Sequence, residues 1–331
     1  WLEGPPRLLY VAALVASGRA AEAASVLGPP AEGTPSGRRT AVVIRALGGG
    51  SPLRDASAEQ LAARLADQTD ALVKYAVGLA SFDAGMPAKG RAAFAAVEAA
   101  VGVDPLLTEL QLVCLADEKG VADKAAQAVA LTERQAGVAE AWLGLALVRR
   151  RLEDADGMRQ ALDKALAIAP DHPDAWLMNA QYAEWRKDKN AALEAYRRLT
   201  ELTPDEPAIH NNYAYYLLET GGDPATALKE AQFALDKLGT HPNVLHTLGL
   251  AQLRTGDLAN AERNLKVALQ MRPGDPTLLL DYGGVLTALN KTEEGKQQAE
   301  MALRYADLLQ LDFPRRAEAE ALTGHTTASA G

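Results

Sequence analysis

A chain of 331 residues with 48% apolar side chains has material for a sizeable core, and aromatic residues at only 5% suit close-packed helices better than sheets. The formal net charge is −9 and no stretch is strongly basic, which argues against nucleic acid, whose phosphates need a lysine- or arginine-lined track. The single cysteine, Cys114, excludes an intramolecular disulfide, and no apolar run reaches the length of a membrane span. The chain opens on Trp1 rather than Met. The expectation is therefore a processed product or an excised fragment, cytoplasmic or periplasmic, with any signal or anchor lying upstream.

The first 70 residues are the least regular. Leu8 to Ala16 and Ala20 to Leu27, parted by Gly18, predict one helical hairpin. Gly28 to Gly37 reads as a loop, and Arg39 to Leu47 and Ser57 to Asp67 predict two more helices around Gly48-Gly49-Gly50-Ser51-Pro52. A period of 34 residues then sets in. Pro170 and Pro204 lie one period apart, and Pro273 keeps the register once a single extra residue is allowed near Gly221-Gly222-Asp223-Pro224. Counted from the residue after each inter-repeat turn, repeats begin at Ala71, Pro105, Ala139, Pro173, Pro207, Pro242 and Pro276; the one at Pro105 drifts internally. In the repeat from Pro242, residues Leu245, Leu248 and Gly249 share one helical face, and Thr255-Gly256-Asp257 breaks the helix. Ala261, Leu265 and Ala268 mark a second apolar face, which Pro273 ends. A helix from Glu293 through Leu309 is expected as a cap. Residues 310–331 are expected to hold the end of that cap and a disordered tail from Thr323.

Small residues recur at the eighth position (Gly78, Ala146, Ala180, Ala214, Gly249, Gly283) and at the twentieth (Gly90, Ala192, Ala227, Ala261, Gly295), although Met158 breaks the second series. They let paired helices approach, while Phe94, Trp142, Trp176, Tyr196 and Leu265 fill the remaining space. One hairpin cannot bury both of its faces, so each repeat depends on its neighbours. This pattern, with Gly-Asp near position fifteen and Pro at thirty-two, resembles the tetratricopeptide repeat (TPR). The resemblance covers 71–309, and the run Asn211-Asn212-Tyr213-Ala214-Tyr215 with His246-Thr247-Leu248-Gly249 is similar to that of exported bacterial TPR proteins. It implies an all-α, right-handed superhelical solenoid of about nine helix-turn-helix hairpins. The division expected is 1–70 divergent TPR-like hairpins, 71–309 regular array and 310–331 C-terminal end.

The resemblance also implies that the first helix of each repeat lines a concave groove that binds a protein or peptide segment. The candidate partner-binding residues are Arg150, Arg151, Gln181, Trp185, Asn211, Asn212, Tyr215, Asn243 and His246. Trp185 falls at position thirteen, outside the main packing positions, where it is either a binding anchor or a ring packed on the next helix with its edge exposed. On a helix Tyr215 turns away from Tyr213 and Tyr216, which puts the latter two in the core and Tyr215 with the two asparagines toward the groove. Asparagine amides can clamp an extended backbone, or they can simply be solvated. Asn212 matches the asparagine with which some TPR domains clamp a chaperone carboxylate. The flanking basic positions hold Leu177, Asn243 and Thr247, so that function is not carried over. Arg149-Arg150-Arg151 is a basic spot for an acidic partner or a solvated helix end.

No HExxH or Cys-His metal spacing occurs, no Gly-x-Ser-x-Gly elbow occurs, and the glycines at 48–50 follow a helix rather than a strand. Cys114 lies in an apolar helix and is expected to be buried. No catalytic residue, metal or cofactor is assigned. The reading is a non-enzymatic protein-interaction scaffold. The open alternatives are a TPR protein that assembles with itself, the regulatory arm of a larger enzyme and, least favoured by the charge, an RNA-reading solenoid.

Overall fold

The computed structural model describes residues 14, 19, 69–103, 105–120 and 124–324. The hairpins expected before residue 69 lie outside the described residues, as does the tail expected from Thr323 except for Thr323, which ends a helix, and Gly324. Among the described residues the regular structure is helical throughout, so the all-α expectation holds. The chain divides into two compact units, Trp1–Ala175 and Trp176–Gly331.

In the first unit α1 (Thr69–Asp83) pairs with α2 (Pro87–Val101), α3 (Pro105–Asp117) is followed by α4 (Ala125–Glu133), and α5 (Ala139–Arg151) pairs with α6 (Ala155–Ile168). Helix α7 (Pro173–Trp185) carries the boundary, and α8 (Lys189–Leu202) comes after it. The second unit continues with the hairpins α9 (Pro207–Glu219)–α10 (Pro224–Leu238), α11 (Pro242–Thr255)–α12 (Leu258–Met271) and α13 (Pro276–Ala288)–α14 (Thr292–Leu308). A last helix, α15 (Arg316–Thr323), packs on α14, where periodicity gives only the end of a cap.

Pairing rests on backbone approach. A Cβ on Gly283 would stand 2.8 Å from the carbonyl oxygen of Gly295, and one on Gly90 would stand 3.1 Å from that of Gly78. In both hairpins the eighth and twentieth positions therefore meet backbone to backbone. Where Met158 replaces the small twentieth residue, it is wholly buried, as is Ala146 at the eighth position, and its unbranched, flexible side chain fills that hairpin's core.

The turn inside each hairpin uses one device. The residue at position fifteen takes a left-handed conformation, at Gly85, Glu153, Lys187, Gly221, Gly256 and Asn290. The next N–H then donates back to a carbonyl of the first helix: Asp188 to Ala183, Asp257 to Gln252, Lys291 to Leu286, each at 2.9 Å. These are 6→1 bonds that satisfy carbonyls orphaned at a helix end. The aspartate at the start of the second helix caps it: Asp154 accepts from Gly157 N–H at 2.9 Å, Asp188 from Ala191 at 3.0 Å and Asp223 from Thr226 at 2.9 Å.

The drifting repeat at Pro105 departs from this plan. Glu118, almost fully buried, pairs there with Arg91 of α2 at 2.5 Å and with Lys124 at 2.6 Å. Buried Glu98 accepts from Gln111 at 3.1 Å and pairs with Arg134 at 3.2 Å. Both carboxylates spend their charge on neighbouring helices, as burial requires.

The turn and the backbone contact can each be tested by substitution. Gly283→Ala forces α13 and α14 apart and should cost about 1–3 kcal/mol, read as a lower midpoint in urea. Glu153→Gly relieves a left-handed residue with a side chain (φ 57°) and should raise the midpoint, by about 1 kcal/mol. A third test uses pH. The Glu140 carboxylate, 3.5 Å from His172 Nε2, raises the imidazole pKa above its ordinary value against the opposing effect of burial. A raised folded pKa gives stability that is complete below the unfolded pKa and lost as pH rises through the folded one. The thermal midpoint of the native chain relative to His172→Gln should therefore fall as the pH rises above the ordinary histidine pKa of about 6.5; a pH-independent difference would refute the pairing.

Candidate functional site

The face built from the first helices of the C-terminal unit gathers most of the candidate residues. A carboxylate shared by two tyrosines links its first elements. Glu184, near the end of α7, accepts from the Tyr196 hydroxyl at 2.8 Å and from the Tyr216 hydroxyl at 3.2 Å. The two rings stack at 5.6 Å between centroids, which ties α8 to α9. Burial, with Glu184 close by, pushes both phenol pKa values well above the ordinary range. Tyr213 and Tyr216 pack against the cluster of Ala180, Ala195, Tyr196, Leu199 and Ile209 while staying partly exposed. The Asn212 side chain interacts with the Tyr196 hydroxyl, so it belongs to this same network.

Trp185 ends α7 with 40% of its surface exposed. Its ring stands edge-on to Tyr182, centroids 6.3 Å apart, which steadies it without covering it. Gln181, one turn earlier, is half-buried, and Asn243 is exposed at the start of α11. Asn211 is 7% exposed; its amide nitrogen donates to Asn212 Oδ1 at 3.4 Å, and its own Oδ1 is buried without a hydrogen-bond partner among the described residues. A buried orphan acceptor costs free energy unless something donates to it.

Tyr215 does not turn clear of Tyr216: the two rings meet edge-on with centroids 5.3 Å apart, and Tyr215 packs against the cluster of Ala214, Leu218, Leu248 and Ala251. Burial pushes its hydroxyl up to about 12. Its ring centroid is 6.3 Å from that of His246. His246 is itself buried: its Nε2 is 2.7 Å from Asp281 Oδ2 of α13. Asp281, 5% exposed, also accepts from Arg315 Nη1 at 2.6 Å through its other oxygen. The Arg315 guanidinium is held from behind by Glu318, at 2.6 Å and 2.8 Å. Asp281 and Arg315 are not among the sequence candidates. Their signal is present in the numbering, because Asp281 lies 35 residues after His246 and Arg315 lies 34 after Asp281.

The two remaining candidates lie in the N-terminal unit. Arg150 and Arg151 are exposed at the end of α5, and Arg151 pairs with Asp117 at 2.8 Å. Arg149 pairs with the cap residue Asp154, also at 2.8 Å. Cys114 is buried as expected, and burial pushes its thiol up to about 12. Among the described residues no group of three or more His, Cys, Asp or Glu is placed to hold a metal ion, and no helix is long and apolar enough to cross a membrane.

Residues 139–182 match the family model described as tetratricopeptide repeat, so the resemblance read from the repeat pattern stands. No curated protein matches the chain. Similar solved structures include PilW, a widely conserved type IV pilus biogenesis factor, at 20% identity over 58% of this chain and 88% of that one, with a TM-score of 0.45. A second is YrrB, described as a TPR protein with an unusual peptide-binding site, at 14% identity over 60% and 99%, with a TM-score of 0.47. A third is the APC/C hetero-tetramer Cut9–Hcn1, at 15% identity over 87% of this chain and 61% of that one, with a TM-score of 0.46.

Proposed function

We propose that this tetratricopeptide-repeat chain is a non-enzymatic interaction scaffold that receives an extended or helical segment of a partner protein on the first-helix face of its C-terminal unit. The observation that carries the reading is Trp185, a large aromatic left 40% exposed at a helix end, edge-on to Tyr182 and one turn beyond Gln181. Exposed aromatics of this kind provide most of the binding energy where they become fully desolvated. Asn211, with an unpaired buried oxygen, offers an acceptor for a backbone N–H of the incoming segment. Gln181, Asn212, Tyr215, Asn243 and His246 complete the proposed surface. Arg150 and Arg151 are proposed as a separate contact for an acidic stretch of the partner.

The test is capture with the full chain immobilised, identification of the retained protein, and titration of that protein against variants. Trp185→Ala should weaken binding about 30-fold, equivalent to about 2 kcal/mol, with helicity by circular dichroism unchanged. Unaltered affinity would remove Trp185 from the interface and the reading with it.

Self-association is the second reading, favoured by Leu308, Leu309 and Leu311, which stand exposed in sequence where α14 ends. Light scattering across the micromolar range separates the two. A mass that rises with concentration and reverts in Leu308→Ser supports assembly, and a constant monomer mass excludes it.

A further inference from the structure

Two residues after α14, Gln310 takes a left-handed conformation (φ 51°) that turns the chain; Leu311 N–H then donates to the Ala306 carbonyl at 2.9 Å. Beyond this turn the chain packs back onto the C-terminal unit. Asp312 reaches Lys187, two residues beyond Trp185, at 3.2 Å. Phe313 sinks between Leu279, Leu280, Ala299, Ala302 and Ala306. Arg315 then lays its guanidinium on Asp281, above His246 and close enough to Tyr215 for its charge to act on that hydroxyl. The segment thus reaches the turn after α7 and the face of α13, whose Asp281 joins it to His246 of α11 in the proposed partner surface.

The contacts differ in strength. Lys187 and Asp312 are both largely exposed, so their pair contributes little. Phe313 is an apolar anchor shared with α14 and α15. Asp281 is the decisive group. A carboxylate this buried must be neutralised, and the cation it meets is Arg315, which donates to it from Nη1 while His246 occupies its other oxygen. The seat thus takes one edge of a guanidinium on a buried carboxylate, near enough to Tyr215 for the charge to be felt there.

We propose that Asp281 with His246 and Tyr215 is an arginine-binding site within the partner surface, and that Arg315 fills it from the chain's own C-terminal segment. The partner class it fits is a segment presenting an arginine side chain, which takes the place of Arg315 on Asp281. The proposal rests on this face being the partner surface and adds its specificity and its resting state. A face closed in about nine molecules of ten binds about ten-fold more weakly than an open one, so Arg315 sets the threshold for partner entry.

The test uses the full chain and a fluorescein-labelled peptide with the sequence of residues 309–324. Arg315→Ala in the chain should bind that peptide about ten-fold more tightly than the native chain does. The same peptide with alanine at its Arg315 position should bind neither, and adding Asp281→Asn to the Arg315→Ala chain should abolish the gain. Equal binding by both chains, or binding that ignores the peptide's arginine, overturns the proposal. A measurement on the native chain guards against loss of folding in the variants. Excess peptide should accelerate hydrogen exchange at Arg316 and Ala319, whose N–H groups bond to Phe313 and Arg315 carbonyls, and unchanged protection counts against displacement. The peptide involves no partner, so failure here leaves the Trp185 capture test standing, and failure there leaves this one.

Discussion

The fold depends on how closely two helix backbones can approach inside a hairpin. At Gly283 and Gly295 the carbonyl of one helix stands where a Cβ of the other would be, and at Gly78 and Gly90 the distance is only a little greater. Beside Gly78 the buried Phe94 fills the remaining space, as Leu265 does beside Gly249 in the α11–α12 hairpin. The turn is subordinate to the contact. A left-handed residue at position fifteen closes the first helix, an aspartate opens the second, and both satisfy backbone groups that helix ends would leave bare. Even Glu153 and Lys187 accept the left-handed conformation, which shows that packing of the pair outweighs local preference there.

Stacking by translation has a chemical consequence. A side chain on a first helix meets the residue about one period further along the chain. Arg151 and Asp117 are separated by 34 residues, Tyr216 and Glu184 by 32, His246 and Asp281 by 35, and Asp281 and Arg315 by 34. Polar groups on these helices therefore answer one another across repeats. A residue assigned to a ligand face from a single repeat is already in contact with its counterpart in the next.

This changes what the candidate surface offers. Trp185 and Asn243 stand in solvent, while Asn211 and His246 are buried. His246 is buried with Asp281 on its Nε2, and Arg315 holds the other oxygen of that carboxylate. Binding to such a face exchanges one set of polar contacts for another, so its selectivity depends on which charges must be matched rather than on area.

The hairpin architecture was legible in the residues because it is set locally. The size of the side chain at positions eight and twenty, and the Gly-Asp and proline punctuation, act within a few residues of where they are written. The placing of Tyr215 was legible only in part, because its ring meets that of Tyr216 edge-on, with centroids 5.3 Å apart. The fate of His246 was not legible, nor was helix α15, which has only eight residues and no repeat of its own behind it. Whether a groove position is open or filled depends on a charge supplied from elsewhere in the chain, and a buried carboxylate such as Asp281 takes whichever cation the tertiary fold brings within reach. Local sterics, written residue by residue, set the period of the helices; only the folded chain decides which polar groups that period leaves unpaired, because their partners are chosen by distance in space.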